Sequence, residues 1–248
     1  MITLKSRDEV EKLRAANLIV AETLVKIREA IVAGITTMDL ERIAVEHIES
    51  RGAVPAFPTV PGYRHALCVS VNEEVVHGIP GKRRLKEGDI VSVDCGVILD
   101  GFYGDHAITF PVGKIGDEAS RLIEASKRAL NMGIKAALVG GHLHDISAAI
   151  ERTATEAGFS VVRDYVGHGI GRALHEDPQV PNFGVAGTGM KLRRGLVVAL
   201  EPMLNAGTHE VEVLPDGWTV VTKDRRLSAH FEHVVAVMEN GPEVLTVL

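Results

Sequence analysis

Two stretches of this chain superpose at an offset of 107 residues, and the superposition sets one acid on another. Leu85-Lys86-Glu87-Gly88-Asp89-Ile90-Val91-Ser92-Val93-Asp94 returns as Leu192-Arg193-Arg194-Gly195-Leu196-Val197-Val198-Ala199-Leu200-Glu201. Each time a basic, glycine-containing turn feeds an apolar strand predicted to end on its acid. Carrying a carboxylate into a core is costly unless a proton or cation offsets its charge, so two equivalent acids point to a charge held between them. A metal ion is the economical candidate. A third acid follows from a turn: Asp100-Gly101, set between Val97-Ile98-Leu99 and Phe102-Tyr103, predicts a two-residue type I′ hairpin. Pairing Leu99 with Phe102 places Asp94 opposite Ala107, and side-chain alternation then puts Asp105 on the face of Asp94, roughly 7 to 8 Å away between backbones. Two carboxylates that close require a cation or a shared proton, as in an acid dyad.

Histidines add a softer donor. His168 sits between glycines in Val166-Gly167-His168-Gly169-Ile170-Gly171, which leaves room for something to approach the ring, and His175-Glu176-Asp177-Pro178 follows. His77 closes an apolar stretch before Gly78 and Pro80, and Glu232 opens the apolar run that leads to Val237. Each has a plainer reading alone: Asp105 as a loop cap, His168 as a hydrogen-bonded turn residue, His77 as a core-edge ring, Glu232 as a solvated strand edge. Together Asp94, Asp105, Glu201 and Glu232 offer oxygens and His168 a nitrogen, a set suited to Mn²⁺, Fe²⁺, Co²⁺ or Zn²⁺. Four negative charges over-neutralise one divalent ion and balance two, which favours a two-metal site.

The elements that must position these groups follow from periodicity. Ser6 and Glu9 make a capping box, and apolar residues at alternating steps of three and four predict a helix over 7–32. Further helices are predicted over 38–51, 118–139 and 144–157. Strands are expected over 66–72, 89–99, 102–112, 160–166, 196–201, 209–213, 218–222 and 231–238. Grouped helices and antiparallel strands indicate an α+β fold. The repeat extends backward, through Val32, Gly34, Asp39-Leu40 and Gly52 against Val139, Gly141, Asp145-Ile146 and Gly158. Its period exceeds the roughly 20 to 50 residues of solenoid units. The expectation is one domain over 1–248, built of duplicated halves of about 1–113 and 117–248.

Composition excludes several function classes. Acids outnumber bases by 33 to 27, and the bases are dispersed, so no footprint for nucleic acid is expected. Met1 to Val10 lacks the apolar core of a signal peptide, and no run approaches the roughly 20 apolar residues of a membrane span. Cys68 and Cys95 lack CxxC spacing, which fits a reducing compartment and argues against structural zinc. A cytoplasmic, monomeric protein is expected.

Asn72-Glu73-Glu74-Val75-Val76-His77-Gly78-Ile79-Pro80, Asp94 with Asp105, Gly167-His168-Gly169-Ile170-Gly171, Glu201-Pro202 and Glu232-His233 together resemble the type I methionine aminopeptidases, from the first helix to Val237. The resemblance implies a pita-bread fold of two pseudo-symmetric halves, with antiparallel sheet and flanking helices. It implies that Asp94, Asp105, His168, Glu201 and Glu232 ligate two divalent ions, with Asp105 and Glu232 bridging and His168 with Glu201 holding one ion. It makes Glu201 the proton shuttle, places His77 and His175 on the substrate, and lines the methionine pocket with Tyr63, Cys68, Leu174 and Trp218. The implied substrates are peptides and nascent chains that begin with methionine followed by a small residue, with transient ribosome contact left open. The sequence departs from the family pattern at Val60, Pro61, Leu174 and His230, the last standing where a glutamine is frequent. Two rivals are a proline-specific aminopeptidase of the same fold, usually carrying an extra amino-terminal domain, and a metal-free binding scaffold, which would have lost ligands. The 25 residues between His175 and Glu201 leave little room for the helical insertion of a type II enzyme.

Overall fold

The computed structural model describes residues 2–248; Met1, counted in the single-domain expectation and in the polar amino-terminal stretch, lies outside the described residues. Helix α1 (Arg7–Ala30) starts where the Ser6–Glu9 spacing predicts. The Glu9 amide donates to the Ser6 hydroxyl at 3.3 Å, and the Ser6 amide donates back to the Glu9 carboxylate at 3.0 Å. The helix stops short of the predicted 32 because Ile31 turns extended, and Gly34 then donates to the Leu85 carbonyl. Helix α2 (Thr37–Ser50) is capped by Thr36 and Asp39. From it the buried Glu41 accepts the amides of Ala66 and Leu67 at 2.7 and 2.9 Å, tying α2 to the strand that follows.

Strands β1 (Val54–Pro55), β2 (Leu67–Val71), β3 (Glu74–Val76), β4 (Ile90–Leu99) and β5 (Phe102–Pro111) come next. Helices α3 (Asp117–Ala136) and α4 (Leu143–Glu156) precede β6 (Ser160–Val161), β7 (Gly167–Gly169), β8 (Glu176–Val180), β9 (Val197–Leu200) and β10 (Met203–Asn205). The chain finishes with β11 (Val211–Val213), β12 (Val220–Thr222), β13 (Ser228–His230), β14 (His233–Met238) and β15 (Gly241–Val244). Strand β4 pairs with β5 on one side and with β1 and β2 on the other, while β15-β14-β9-β7-β8 form a second sheet. Two three-stranded sheets, β13-β10-β6 and β11-β12-β3, complete an antiparallel α+β architecture. Helices α1 and α2 cover β2 and β4, and α3 and α4 pack on the second sheet through Ile146, Ile150, Val198 and Val235.

The predicted hairpin register holds residue for residue: Leu99 pairs with Phe102 and Asp94 with Ala107. Asp100 and Gly101 take φ of 50° and 75°, as a type I′ turn demands. The acids sit differently along their strands than expected. Asp94 is in the middle of β4, not at a strand end, and Glu201 lies one residue beyond β9. The turns ahead of the two acids are held alike: Leu85 donates to the Ile35 carbonyl at 2.9 Å, and Leu192 to that of Gly141 at 2.8 Å.

The strand expected over 160–166 is shorter, and His168 belongs to a strand rather than to a loop. Its flanking glycines explain this: a Cβ on Gly167 would lie 2.4 Å from the Ala199 carbonyl, and one on Gly169 would lie 2.2 Å from that of Asp177. Only residues without side chains let β7 seat His168 between β8 and β9. A similar close approach sets α1 against β5, since a Cβ on Gly104 would come within 2.9 Å of the α1 backbone at Ala16 and Asn17. The buried Asn17 side chain then accepts the Asp105 amide at 3.1 Å and donates to the Leu13 carbonyl at 2.8 Å. No helix among the described residues is long and apolar enough to cross a membrane, and Cys68 and Cys95 are free and buried.

Because Asn17 satisfies a buried amide at a site-bearing residue, Asn17→Ala should lower the unfolding free energy by about 1–3 kcal/mol. Urea unfolding checks this, and a loss below about 0.5 kcal/mol would show that the contact is dispensable.

Candidate active site

The two sheets meet where the acids are. Glu232, between β13 and β14, donates its amide to the Ala107 carbonyl at 2.9 Å, which brings its side chain beside Asp105. The ring of His168 donates through Nδ1 to the Gly169 carbonyl at 2.9 Å and so keeps a lone pair on Nε2. That nitrogen lies 3.7 Å from Asp105 Oδ2 and 3.5 Å from Glu201 Oε1. These separations suit donors sharing one cation at bonds of roughly 2.0–2.2 Å. Ligand atoms of Asp105, His168 and Glu232 all fall within 4.8 Å of one another.

Four acids gathered out of water need a counter-charge. Burial pushes Asp94 up to about 7. Asp105 is raised well above the usual carboxylate range by burial and by the charges of Glu232 and Asp94, Glu201 by burial and by Asp94 and Asp105, and Glu232 by burial and by Asp94 and Glu201. Burial lowers His168 to about 4, so its ring is neutral. One oxygen each of Asp94, Asp105 and Glu232 is buried without a hydrogen-bond partner. Orphaned oxygens, mutual repulsion and a bare imidazole nitrogen are the donor chemistry of a divalent cation, and these residues fit one.

All eleven residues singled out from the sequence line one cavity of about 310 Å³. His175 stands edge-on to His168 with ring centres 4.5 Å apart. His77 directly follows β3 and takes the left-handed φ of 60°, with its ring edge-on to Tyr165 at 5.5 Å and to Trp218 at 6.5 Å. A non-glycine residue in that conformation is held there by its surroundings, which here aim the ring at the cavity. Burial lowers His77 to about 4 and lowers His175 as well. Tyr63 packs edge-on against Trp218 at 5.0 Å and donates its hydroxyl to the Leu67 carbonyl at 2.8 Å. With Leu174 and Cys68, which pairs across the sheet with Asp94, these rings give the cavity an apolar lining beside the acids. Burial keeps the Tyr63 hydroxyl and the Cys68 thiol protonated.

Sequence reasoning missed Phe57, Val76, Tyr165 and Gln179, which also line the cavity. Only Tyr165 carried a signal, as an aromatic residue just ahead of the glycine-flanked His168. It also missed a support behind Glu232: His106 Nδ1 donates to the Glu232 carbonyl, and the His106 ring stacks on His233 at 4.5 Å. His233 in turn shares a 2.7 Å hydrogen bond with Thr246. His230, noted from the sequence only as a departure, reaches the cavity with its Nε2 3.8 Å from Glu201 Oε2.

This geometry agrees with what known proteins show. The family model described as metallopeptidase family M24 matches residues 11–239. The chain is 52% identical over 248 residues to the methionine aminopeptidase of Clostridium perfringens, covering 100% of both chains. The solved methionine aminopeptidase of Thermotoga maritima superposes with a TM-score of 0.98 at 47% identity, with 100% of both chains covered. The prolidase of Pyrococcus furiosus matches with a TM-score of 0.78 at 19% identity, over 99% of this chain and 65% of that one, a likeness of fold alone. The architecture is the pita-bread fold, and the buried cluster of Asp105, His168 and Glu232 suits a divalent metal ion. The chain belongs to metallopeptidase family M24, among its bacterial-type methionine aminopeptidases.

Proposed function

We propose that this chain hydrolyses the peptide bond after the initiator methionine of nascent proteins, as a metal-dependent exopeptidase that prefers a small second residue. One observation carries the reading: four acids, Asp105 and Glu232 buried and Asp94 and Glu201 half-buried, share a cavity with a bare imidazole nitrogen and an apolar, sulfur-bearing lining. Asp94, Asp105, His168, Glu201 and Glu232 would hold two divalent ions. Mn²⁺, Fe²⁺, Co²⁺ and Zn²⁺ all suit these donors. When bound, such ions supply a water of lowered pKa and polarise the scissile carbonyl, and aminopeptidases are among the enzymes for which this two-metal chemistry is generally described.

The protein's own groups do the rest. Glu201 accepts the proton of the attacking water and returns it to the departing amine. His175, its pKa lowered by partial desolvation of the ring, donates an N–H to the carbonyl oxygen as negative charge builds there. His77 contacts the amide nitrogen that leaves. Tyr63, Cys68, Leu174 and Trp218 enclose the methionine side chain and exclude water from it. The reading takes 1–248 as a single catalytic domain of two repeated halves, working as a cytoplasmic monomer on nascent chains.

Methionine release from a Met-Ala-Ser peptide should stop on chelation and return with Mn²⁺, Fe²⁺ or Co²⁺, and a Met-Lys peptide should be cleaved far more slowly. Release that survives chelation, or equal rates on the two peptides, would contradict the reading. Replacing His77 or His175 by Ala should lower kcat by about 10²–10⁴-fold while metal content stays at the wild-type level. A variant stripped of both ions would show that these rings are structural to the metal centre instead.

Stability should depend on pH in a metal-specific way. In chelated protein Asp94 binds its proton up to about 7, against about 4 in an unfolded chain. The native state then holds more protons across that window, so this group's contribution to stability falls as pH rises. A divalent cation offsets the same burial cost of the charged carboxylate. The rise in Tm on adding Mn²⁺ should therefore grow from pH 5 to pH 7, and a rise independent of pH would count against the account.

A further inference from the structure

His230 ends β13 two residues before Glu232 and is 2% exposed. Its backbone is pinned to β5 from both sides: the amide donates to Thr109 Oγ1 at 2.9 Å, and the carbonyl accepts from the same hydroxyl at 2.8 Å. The ring is thereby carried into the cavity, where Nε2 is buried without a hydrogen-bond partner. It faces Glu201. The Nε2 atom lies 3.8 Å from Oε2, while the other oxygen of that carboxylate lies 3.5 Å from His168 Nε2.

A separation of 3.8 Å is too long for a hydrogen bond. It matches the spacing between His168 and its co-ligands, 3.5 and 3.7 Å. We infer that His230 is a sixth protein donor of the metal centre, a second ligating nitrogen placed across Glu201 from His168. This rests on the metal-site reading above and deepens it. The Glu201 carboxylate then stands between two imidazoles, one at each oxygen. Imidazole favours Co²⁺, Zn²⁺ and Fe²⁺, whereas Mn²⁺ prefers oxygen. The second ring therefore tilts this centre away from Mn²⁺.

His230→Gln separates ligation from hydrogen bonding, because an amide can donate to Glu201 but ligates weakly. The experiment titrates chelator-stripped, full-length wild type and H230Q with Co²⁺ alone and with Mn²⁺ alone, by calorimetry and, for Co²⁺, by visible absorption. H230Q should bind Co²⁺ at least about tenfold more weakly, with altered d–d bands and a much smaller change for Mn²⁺. Superposable Co²⁺ spectra and equal affinities in the two proteins overturn the inference and leave the five-ligand centre standing. A wild-type chain that takes up no Co²⁺ overturns the centre and the inference together. A measurement on wild type alone needs no variant: proton NMR of the Co²⁺-loaded protein should show two strongly shifted, exchangeable imidazole N–H signals, from His168 and His230, and one signal only would contradict the inference.

Discussion

Like charges held together out of water are the constraint on which this structure turns. Asp94, Asp105, Glu201 and Glu232 are each raised by burial, and all but Asp94 also by one another's charges, so the fold gathers groups that would otherwise separate. Regular backbone bonding opposes that repulsion. The β4–β5 ladder sets Asp94 and Asp105 on one face, the Glu232 amide bonds across to Ala107, and the Asn17 side chain from α1 accepts the Asp105 amide. Asp94, Asp105 and Glu232 are thus fixed through their main chains, each leaving a side-chain oxygen without a partner for a cation to satisfy.

The same burial that raises the acids discharges the rings around them. His77 and His168 are lowered to about 4 and His230 to about 3, in each case chiefly by desolvation. Neutral imidazoles can ligate or donate a hydrogen bond without adding positive charge that would compete with a metal. Farther out, the stacked His106 and His233 and the Thr246 hydroxyl buttress the Glu232 carbonyl, so the ligand loop between β13 and β14 rests on a polar layer of its own. Tyr63, Cys68, Leu174 and Trp218 then give the cavity an apolar lining beside its charged groups.

Much of the centre was legible because its determinants are local. Positive φ at Asp100 and Gly101 sets the hairpin register, and the register sets Asp94 against Asp105. The 107-residue offset led from Asp94 to Glu201, and both line the cavity. What escaped depends on contacts between distant segments. The strand around His168 has no strand-like composition, and it forms because Gly167 and Gly169 let neighbouring carbonyls approach. His106, Tyr165 and Gln179 gain their roles from elements folded over them, which periodicity does not report. Strands of two or three residues, such as β3 and β13, are too short to show an alternating pattern, yet they place His77 and His230.

The central claim is that the converging side chains exist to grip divalent cations. Crystals of the protein soaked in Mn²⁺ and measured at the manganese absorption edge test it most directly. The account predicts strong anomalous peaks within bonding distance of Asp94, Asp105, His168, Glu201 and Glu232. A map with no peak among these residues, at saturating Mn²⁺ and neutral pH, would contradict it.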